Sequence, residues 1–418
     1  MNVLGLQEPP MSSRFLSELR KRVVVLDGAM GTSIYSKNLS VEHDYCGCEN
    51  CTDILVKTRP DVIQEIHESF LAVGADAVET DTFGSNKLVL AEFNLTPECF
   101  ALNKMAAEVA RAACAKYTTS DKPRFVLGSM GPGTKLVTLG NTTWDEMFDS
   151  YREQARGLLA GGIDAFIIET SQDLLQVKCA INSILAALSE LNKSTDDVPI
   201  LCSVTVETTG TLLLGSEIAA VAAALAEYPI CSLGLNCATG PTEMAPHVQW
   251  LGKHWPAMGG SRAGRAVSVV PNAGLPVLVE GRTEYPLQPQ PFVDAILKMV
   301  ETDGVGIVGG CCGTTPAHIA LLSKSLHDHK LHDRTTHPRA TVVAPPPAVT
   351  SLYSPQDYRQ DNSILIVGER MNASGSKAFK KLLEAEDWDG IVSLAREQVR
   401  HDGAHVLDLN VDYAGRDN

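Results

Sequence analysis

The sequence contains no apolar run of about 18 residues, which is the length that a helix needs to cross a bilayer, so no transmembrane span is predicted. Residues 1–21 have no apolar segment followed by a small-residue cleavage site, and they indicate no secretory signal. We therefore expect a cytoplasmic protein that acts without a membrane.

Basic residues are scarce, because 35 Lys and Arg stand against 50 Asp and Glu, and the net charge is −15. Phosphate binding needs a basic face, so this balance argues against a nucleic-acid partner. The 11 cysteines are scattered along 418 residues and no signal peptide precedes them. Reduced thiols and metal binding are therefore favoured over a disulfide framework.

Short apolar runs alternate with helical patterns over residues 13–335. The predicted strands cover residues 23–26, 77–79, 125–128, 165–169, 200–204, 231–235, 266–269 and 305–308. They are β-branched and apolar on both faces, as in a parallel sheet covered by helices. The predicted helices include 96–117, 143–160, 174–191 and 316–329. Eight such βα units predict an α/β fold of the (β/α)8 TIM-barrel type.

The pattern changes after residue 335. Residues 336–359 are rich in proline and lack a helical pattern, and three consecutive prolines at 345–347 favour an extended polyproline II spacer. Residues 360–418 then offer a strand at 364–367, a helix at 388–401 and a strand at 406–409. We interpret them as the start of a second (β/α)8 barrel that is truncated here, and the alternative is a small appendage of the first domain.

Cys311 and Cys312 form the most informative pair in the chain. They lie in the sequence Val-Gly-Gly-Cys-Cys-Gly-Thr-Thr-Pro at residues 308–316, and Cys237 follows a strand upstream. The three thiols are expected on loops after the sixth and eighth strands, at the barrel end that carries active sites. Three thiolates around Zn²⁺ leave its fourth position open, as in catalytic zinc sites. The alternative interpretation is three buried free cysteines.

A second group, Cys46, Cys48 and Cys51, includes a Cys-x-x-Cys element. No further Cys or His pair follows at a finger-like spacing, so ordinary loop cysteines are favoured over a second metal. His43, His67 and His318 also lack the spacing of metal ligands.

Polar residues end several predicted strands. Asp27 follows the first strand in a glycine-containing segment, where it either accepts hydrogen bonds from an ammonium group or forms an Asx-turn or helix cap. Glu169 after the fourth strand either binds a ligand or is simply solvated. Glu79 is a weaker candidate, and Ser129 and Asn236 are plausible polar residues of a binding site.

Three motifs, Leu-Asp-Gly-Ala-Met-Gly-Thr at 26–32, Gly-Leu-Asn-Cys at 234–237 and the Cys311–Cys312 segment, resemble the homocysteine S-methyltransferase domain. The resemblance covers roughly residues 13–330. It implies that zinc is bound by Cys237, Cys311 and Cys312, which carry the chemistry. It also implies that homocysteine is bound by Asp27, Gly28, Ala29, Met30, Ser129, Glu169 and Asn236.

The tail resembles the start of a pterin-binding methyltetrahydrofolate domain, through Gly-Glu-Arg-Met-Asn at 368–372 and Asp-Leu-Asn at 408–410. Asn372, Asp408 and Asn410 match pterin-contacting positions, and Met371 departs from the usual threonine. This domain order resembles the cobalamin-dependent methionine synthase family. It implies methyl transfer from methylcobalamin, held by a cobalamin-binding module of the full-length protein and recharged from 5-methyltetrahydrofolate. The alternatives are a methyltransferase that uses betaine or S-methylmethionine, and a non-catalytic module that binds homocysteine or zinc.

Overall fold

The computed structural model describes residues 13–259, 265–279, 281–335 and 341–415. The first 12 residues of the segment examined for a secretory signal, and residues 336–340 of the predicted linker, lie outside these ranges. The chain divides into two compact units, Met1–Ala344 and Pro345–Asn418. None of the helices in the described part is both long and apolar enough to span a bilayer.

Eight parallel strands form the sheet of the first unit. They are β1 (Val24–Val25), β2 (Ala77–Glu79), β3 (Phe125–Met130), β4 (Ala165–Ser171), β5 (Ile200–Val204), β6 (Ser232–Asn236), β7 (Ala266–Val270) and, after the antiparallel hairpin β8 (Val277–Val279) and β9 (Arg282–Glu284), β10 (Ile307–Val308). The hydrogen-bonded order is β1-β10-β7-β6-β5-β4-β3-β2. The strands follow one another around the sheet in chain order, as in a βα barrel.

Asp76 links the two ends of this sheet. Its backbone N–H donates to the carbonyl of Val25 at 2.6 Å, and its Oδ2 accepts from the Val25 N–H at 3.0 Å. The same carboxylate pairs with Arg22 at 2.7 Å and Arg124 at 3.1 Å. The sheet is therefore a nearly closed barrel, which confirms the predicted TIM-barrel architecture of the first unit.

Helices surround the barrel. Their bounds are α1 (Arg14–Lys21), α2 (Met30–Tyr35), α3 (Leu55–Thr58), α4 (Pro60–Ala72), α5 (Lys87–Leu90), α6 (Cys99–Tyr117), α7 (Trp144–Ala160), α8 (Leu174–Glu190), α9 (Ile218–Leu225), α10 (Pro241–His254), α11 (Pro289–Asp303) and α12 (Pro316–Asp328). Local sequence explains where several begin. Thr143 and Glu146 form a capping box at the start of α7, and Asp173 accepts from two backbone N–H groups at the start of α8.

Side chains of the strands form two apolar layers. Alternate residues such as Leu127, Ile167 and Leu201 fill the barrel interior, whereas Val126, Phe166 and Cys202 pack outward with the helices. This alternation follows the two-residue period of a β-strand. It directs the side chain of Glu169, two residues beyond Ile167, toward the interior at the carboxyl end of β4.

The second unit contains β11 (Ala348–Thr350), β12 (Pro355–Asp357), β13 (Val367–Asn372), α13 (Lys377–Glu384), α14 (Trp388–Arg400) and β14 (Val406–Asn410). β13 and β14 pair in parallel, and Met371, Ala373 and Phe379 form a small core. Two parallel strands with helices are the start of a βα pattern, and a second barrel remains a proposal.

Two predictions for the tail need correction. The strand predicted at 364–367 begins at Val367 and continues to Asn372, because the pairing with β14 starts at Val367 and Ile364 is 79% exposed. The Gly-Glu-Arg-Met-Asn motif therefore lies within the strand instead of after it. The predicted polyproline spacer also contains the antiparallel pair of β11 and β12.

Candidate metal centre and active site

A cavity of about 500 Å³ opens at the carboxyl ends of the barrel strands. Among the described residues, its lining includes the three predicted cysteines and six acidic side chains, and it includes no Lys, Arg or His. The acids are Asp27, Asp53, Glu79, Asp81, Glu92 and Glu169. A cavity of this composition is complementary to cations.

Cys237, Cys311 and Cys312 lie close together in the lining of this cavity. The sulfur of Cys312 lies 3.9 Å from the sulfurs of both Cys237 and Cys311, and all three lie within 4.8 Å of one another. In the described part of the chain, no other group of three or more His, Cys, Asp or Glu side chains brings its potential metal-ligand atoms this close together. The predicted juxtaposition of these thiols is present in the structure.

The backbone at Cys237 is strained. Cys237 and Ala238 both adopt left-handed conformations, with φ of 62° and 57°. Each costs about 1–2 kcal/mol for a residue other than glycine. Hydrogen bonds from the Cys237 N–H to the carbonyl of Val270 and from the Thr239 N–H to the carbonyl of Cys237 hold this turn. The turn aims the Cys237 sulfur at the other two thiols.

The loop of Cys311 and Cys312 is fixed by the segment that follows β7. The Cys311 N–H donates to the carbonyl of Pro271 at 2.8 Å, and the Cys312 N–H donates to Oδ1 of Asn272 at 3.1 Å. Asn272 is buried, and the sequence analysis did not identify it. The sequence does contain a signal for this residue, because Asn272 lies in a Pro-Asn-Ala-Gly turn directly after a strand.

The three thiols fit a tetrahedral metal. Zn–S bonds of about 2.3 Å place tetrahedral sulfurs about 3.8 Å apart, close to the two separations of 3.9 Å. Hydrogen bonds from Cys237 and then Cys311 lower the pKa of Cys312, whereas the hydrogen bond to Cys237 is the main cause that raises the pKa of Cys311. The pKa of Cys237 is also raised, so the cluster by itself favours a single thiolate at Cys312, and a bound metal ion would have to displace the protons of the other two thiols.

Three acids face the cavity beside the thiols. Burial raises the pKa of Asp27, Glu79 and Glu169, and the charge of Glu169 raises the pKa of Glu79 and Asp27 further. Asp27 accepts a hydrogen bond from the Glu79 N–H at 3.2 Å, and Ser129 donates from its hydroxyl to Glu169. No ion pair to these acids is present among the described residues. An ammonium group is the complement of such a cluster.

The other predicted contacts divide into two sets. Gly28, Ala29, Met30 and Ser129 line the cavity with Asp27 and Glu169. Asn236 does not line it: its Oδ1 accepts from the Thr170 N–H and its Nδ2 donates to the Thr170 hydroxyl, both at 2.7 Å. The tertiary partner of a buried amide cannot be identified from its position along a strand.

Asp53 and Asp81 form a second acidic pair that the sequence analysis missed. Both are buried and line the cavity, and Oδ2 of Asp81 has no hydrogen-bond partner. Burial, and then the charge of Asp53, raise the pKa of Asp81. Asp53 accepts from the Gly84 N–H at 3.0 Å and from the Ser85 hydroxyl at 2.9 Å. The pair is 28 positions apart in the chain, so only the fold reveals it.

Cys46, Cys48 and Cys51 do not form a cluster with metal-binding separations in the described structure. Cys46 is exposed and Cys51 is buried. His67 is buried in α4, and His318 caps α12 through hydrogen bonds to Thr315. Ordinary surface or capping roles were expected for these histidines, and His318 has a capping role, whereas the buried His67 has neither.

In the second unit, the three predicted pterin-contacting residues lie together. Asn372 donates from Nδ2 to Asp408 at 3.4 Å, and Asn410 donates from Nδ2 to Oδ1 of Asn372 at 3.2 Å. All three lie on β13 or β14 near the carboxyl ends of these strands. The arrangement offers both amide and carboxylate groups to a flat heterocycle.

Comparison with known proteins supports the fold and identifies the family. The profile described as Homocysteine S-methyltransferase matches residues 24–326. The methionine synthase of Mycobacterium tuberculosis is 44% identical over 402 residues, which are 96% of this chain and 32% of the relative. That of Mycobacterium leprae is 43% identical over 416 residues, 100% of this chain and 33% of the relative.

Among solved structures, the metallated form of the homocysteine methyltransferase MmuM from Escherichia coli superposes with a TM-score of 0.57. The identity is 22%, over 75% of this chain and 99% of that chain, so the match concerns the fold. The present chain spans about a third of the length of the curated relatives that it matches. From the profile match, the chain belongs to the homocysteine S-methyltransferase family, a family of methyltransferase enzymes.

Proposed function

We propose that residues 13–335 form the zinc-dependent homocysteine S-methyltransferase module of a methionine synthase. The module transfers a methyl group from methylcobalamin, which is ultimately recharged from 5-methyltetrahydrofolate, to homocysteine and produces methionine. The observation that carries the proposal is the set of three convergent thiols beside buried acids, in a cavity whose described lining has no basic side chain. Relatives with the name methionine synthase support methionine as the product.

Cys237, Cys311 and Cys312 would hold the zinc ion. A zinc ion held there would supply Lewis-acid chemistry that lowers the pKa of a substrate thiol. The homocysteine sulfur then forms the new S–CH3 bond as the methyl group leaves its donor. Methionine is a thioether and would be a weaker ligand for such an ion than a thiolate.

The acids bind the other end of the substrate. Asp27 and Glu169 would accept hydrogen bonds from the homocysteine ammonium group, which offsets their mutual repulsion. The Ser129 hydroxyl donates to Glu169 and fixes the direction of its carboxylate. Gly28, Ala29 and Met30 line the same cavity; the Ala29 N–H already donates to the Thr314 hydroxyl at 3.2 Å, so the backbone N–H groups of Gly28 and Met30 would be the ones to face the substrate carboxylate.

The tail supports the folate connection. We propose that residues 360–418 begin the pterin-binding domain, with Asn372, Asp408 and Asn410 as part of the pterin site, and that residues 336–359 join it to the barrel. The hydrogen bonds among these three side chains agree with a common binding surface. The cobalamin-binding module would belong to the remaining length of the full protein.

The test combines metal analysis with donor use. We expect one zinc per chain, a change in the zinc-edge absorption spectrum when homocysteine is added, and methionine formation with methylcobalamin. A zinc-replete chain that neither binds homocysteine nor releases a proton on its addition would refute the proposal.

Betaine or S-methylmethionine is the second candidate donor, because both are cationic at the methyl-bearing atom and the cavity lining is acidic. Methionine formation from either of them, with none from methylcobalamin, would replace the first candidate. Homocysteine binding without methyl transfer from any donor in the full-length protein would indicate a non-catalytic module.

A further inference from the structure

Thr170 has a backbone conformation that a β-branched residue rarely adopts. Its φ is 55°, in the left-handed region, although it lies within β4 and directly follows Glu169. The register between β4 and β5 shifts between Ile168 and Ser171, so one extra residue is accommodated at this point. Bulges of this type redirect side chains near active sites.

Asn236 holds Thr170 in this conformation. The Thr170 N–H donates to Oδ1 of Asn236 and the Asn236 amide donates to the Thr170 hydroxyl, each at 2.7 Å. Asn236 is 2% exposed, and its own carbonyl accepts from the Thr205 hydroxyl at 2.9 Å. Both ends of its amide group are therefore engaged with one residue, and the amide itself is fixed on β6.

These two hydrogen bonds between Asn236 and Thr170, which we call the clamp, fix the peptide that joins Glu169 to Thr170. An unclamped threonine would return to an extended or right-handed conformation, which turns this peptide and moves the Glu169 carboxylate. Ser129 then no longer meets Glu169 in the same geometry. Asn236 also immediately precedes Cys237, so one residue joins the acidic side of the cavity to the thiol side.

We propose that Asn236 is a positioning residue for Glu169: it clamps Thr170 in the left-handed conformation and thereby sets recognition of the substrate amino group. This inference rests on the proposed function, and it replaces direct contact between Asn236 and homocysteine. The side chain acts through Thr170 and Glu169.

The experiment compares two thiols on the zinc-loaded chain by isothermal titration calorimetry. Homocysteine has the amino group, and 4-mercaptobutyrate has the same thiol and carboxylate without it. In Asn236→Ala, we expect the dissociation constant for homocysteine to rise about tenfold, since two buried hydrogen bonds and the clamped conformation are lost. The dissociation constant for 4-mercaptobutyrate and the zinc content should stay unchanged.

Rescue separates positioning from general loss of stability. Glycine adopts φ near 55° without a clamp, so Asn236→Ala combined with Thr170→Gly should recover most of the homocysteine affinity. Asn103→Ala is the matched control, because Asn103 is a buried asparagine that donates to the carbonyls of Ser85 and Cys99 and does not line the cavity. It should lower stability and leave homocysteine affinity unchanged.

The outcomes are distinct. The clamp is refuted if the wild-type chain binds homocysteine and the Asn236→Ala variant binds it equally well. It is also refuted if the variant binds homocysteine and 4-mercaptobutyrate more weakly to the same extent. Failure of Thr170→Gly to restore affinity would also overturn it. A zinc-loaded wild-type chain that binds no homocysteine would instead overturn the proposed function, and the clamp with it.

Discussion

The sulfur of Cys311 is one of three cysteine sulfur atoms that lie within 4.8 Å of one another. If zinc is bound here as proposed, two thiols alone would leave it without its third protein ligand. We expect Cys311→Ala to reduce zinc from one equivalent per chain to a small fraction of an equivalent. Inductively coupled plasma mass spectrometry after dialysis against a weak chelator measures this content.

The control for this variant is Cys46→Ala. Cys46 is exposed and has no place in the cluster of three thiols, so its loss should leave one zinc per chain. Stoichiometric zinc in Cys311→Ala, or loss of zinc in Cys46→Ala, would show that the metal is bound elsewhere.

Asp81 is expected to destabilise the folded protein at neutral pH. Its folded pKa is raised by burial and by Asp53, so above the unfolded value of about 3.9 the unfolded chain ionises this group more readily. Stability is therefore lost as pH rises. Asp81→Asn removes this charge, and at pH 7.5 it should increase the free energy of unfolding by roughly 1–3 kcal/mol. Urea unfolding at pH 7.5 and pH 4 should show that the gain disappears at pH 4.

Asp61 provides a control of opposite sign. Arg59 donates a hydrogen bond to it and lowers its pKa, so its stabilising effect is present at neutral pH and lost as pH falls. Asp61→Asn should slightly reduce stability at pH 7.5. Equal responses of both variants would indicate that charge at Asp81 is not the cause.

Individual residues differ in how far the sequence reveals them. The three cysteines were predictable because their glycine-rich surroundings and their positions after strands are local signals. The left-handed conformation of Thr170 was not, because a β-branched residue gives no local indication of it. The hydrogen bonds between Asn236 and Thr170 were also not predictable, because they depend on how β4 and β6 pack in the barrel. Asn236 was therefore predicted as a substrate contact.

At the scale of the strand, Gly234 permits close packing between β6 and β7. A Cβ at this position would lie 2.0 Å from Oγ and 2.1 Å from the carbonyl oxygen of Ser268. The backbone oxygen cannot move without distorting the sheet, so Gly234→Ala should lower stability by about 3 kcal/mol. Thermal and urea unfolding monitored by circular dichroism test this.

Gly31 is the matched control for Gly234. It lies in α2 with no atom within 4 Å of its added Cβ, and alanine favours helix by about 1 kcal/mol. Gly31→Ala should therefore leave stability unchanged or raise it. A similar loss in both variants would mean that the strand contact is not responsible.

Most strands and helices were predictable because the residue composition and the apolar pattern that define each of them lie within the segment itself. The barrel strands are β-branched apolar runs, and the observed bounds differ from the predicted ones by at most two residues. The tail strand was misplaced because Ile364 has the composition of a strand and is 79% exposed. Pairing with β14, which begins at Val367, decides where β13 begins.

The chain divides into two compact units whose sheets differ in extent. The first has a nearly closed barrel, and its order of strands follows from the repetition of βα units in the sequence, because parallel strands joined by a helix are connected with a right-handed crossover. The second has a two-stranded parallel sheet, which is marginal by itself in water. Its side chains Ile364, Trp388 and Leu409 are 79%, 64% and 60% exposed. The difference predicts lower stability for the second unit.

Removal of the second unit should leave the metal centre intact. The cavity-lining residues run from Asp27 to Cys312, within the first unit, so a chain that ends at Ala344 should keep one zinc and bind homocysteine within about twofold of the full chain. Binding of a dye for apolar surfaces should fall, because Ile364, Trp388 and Leu409 are removed. Calorimetry with homocysteine and zinc analysis measure the first result. Loss of zinc or homocysteine affinity in the shortened chain would show that the second unit contributes to the site.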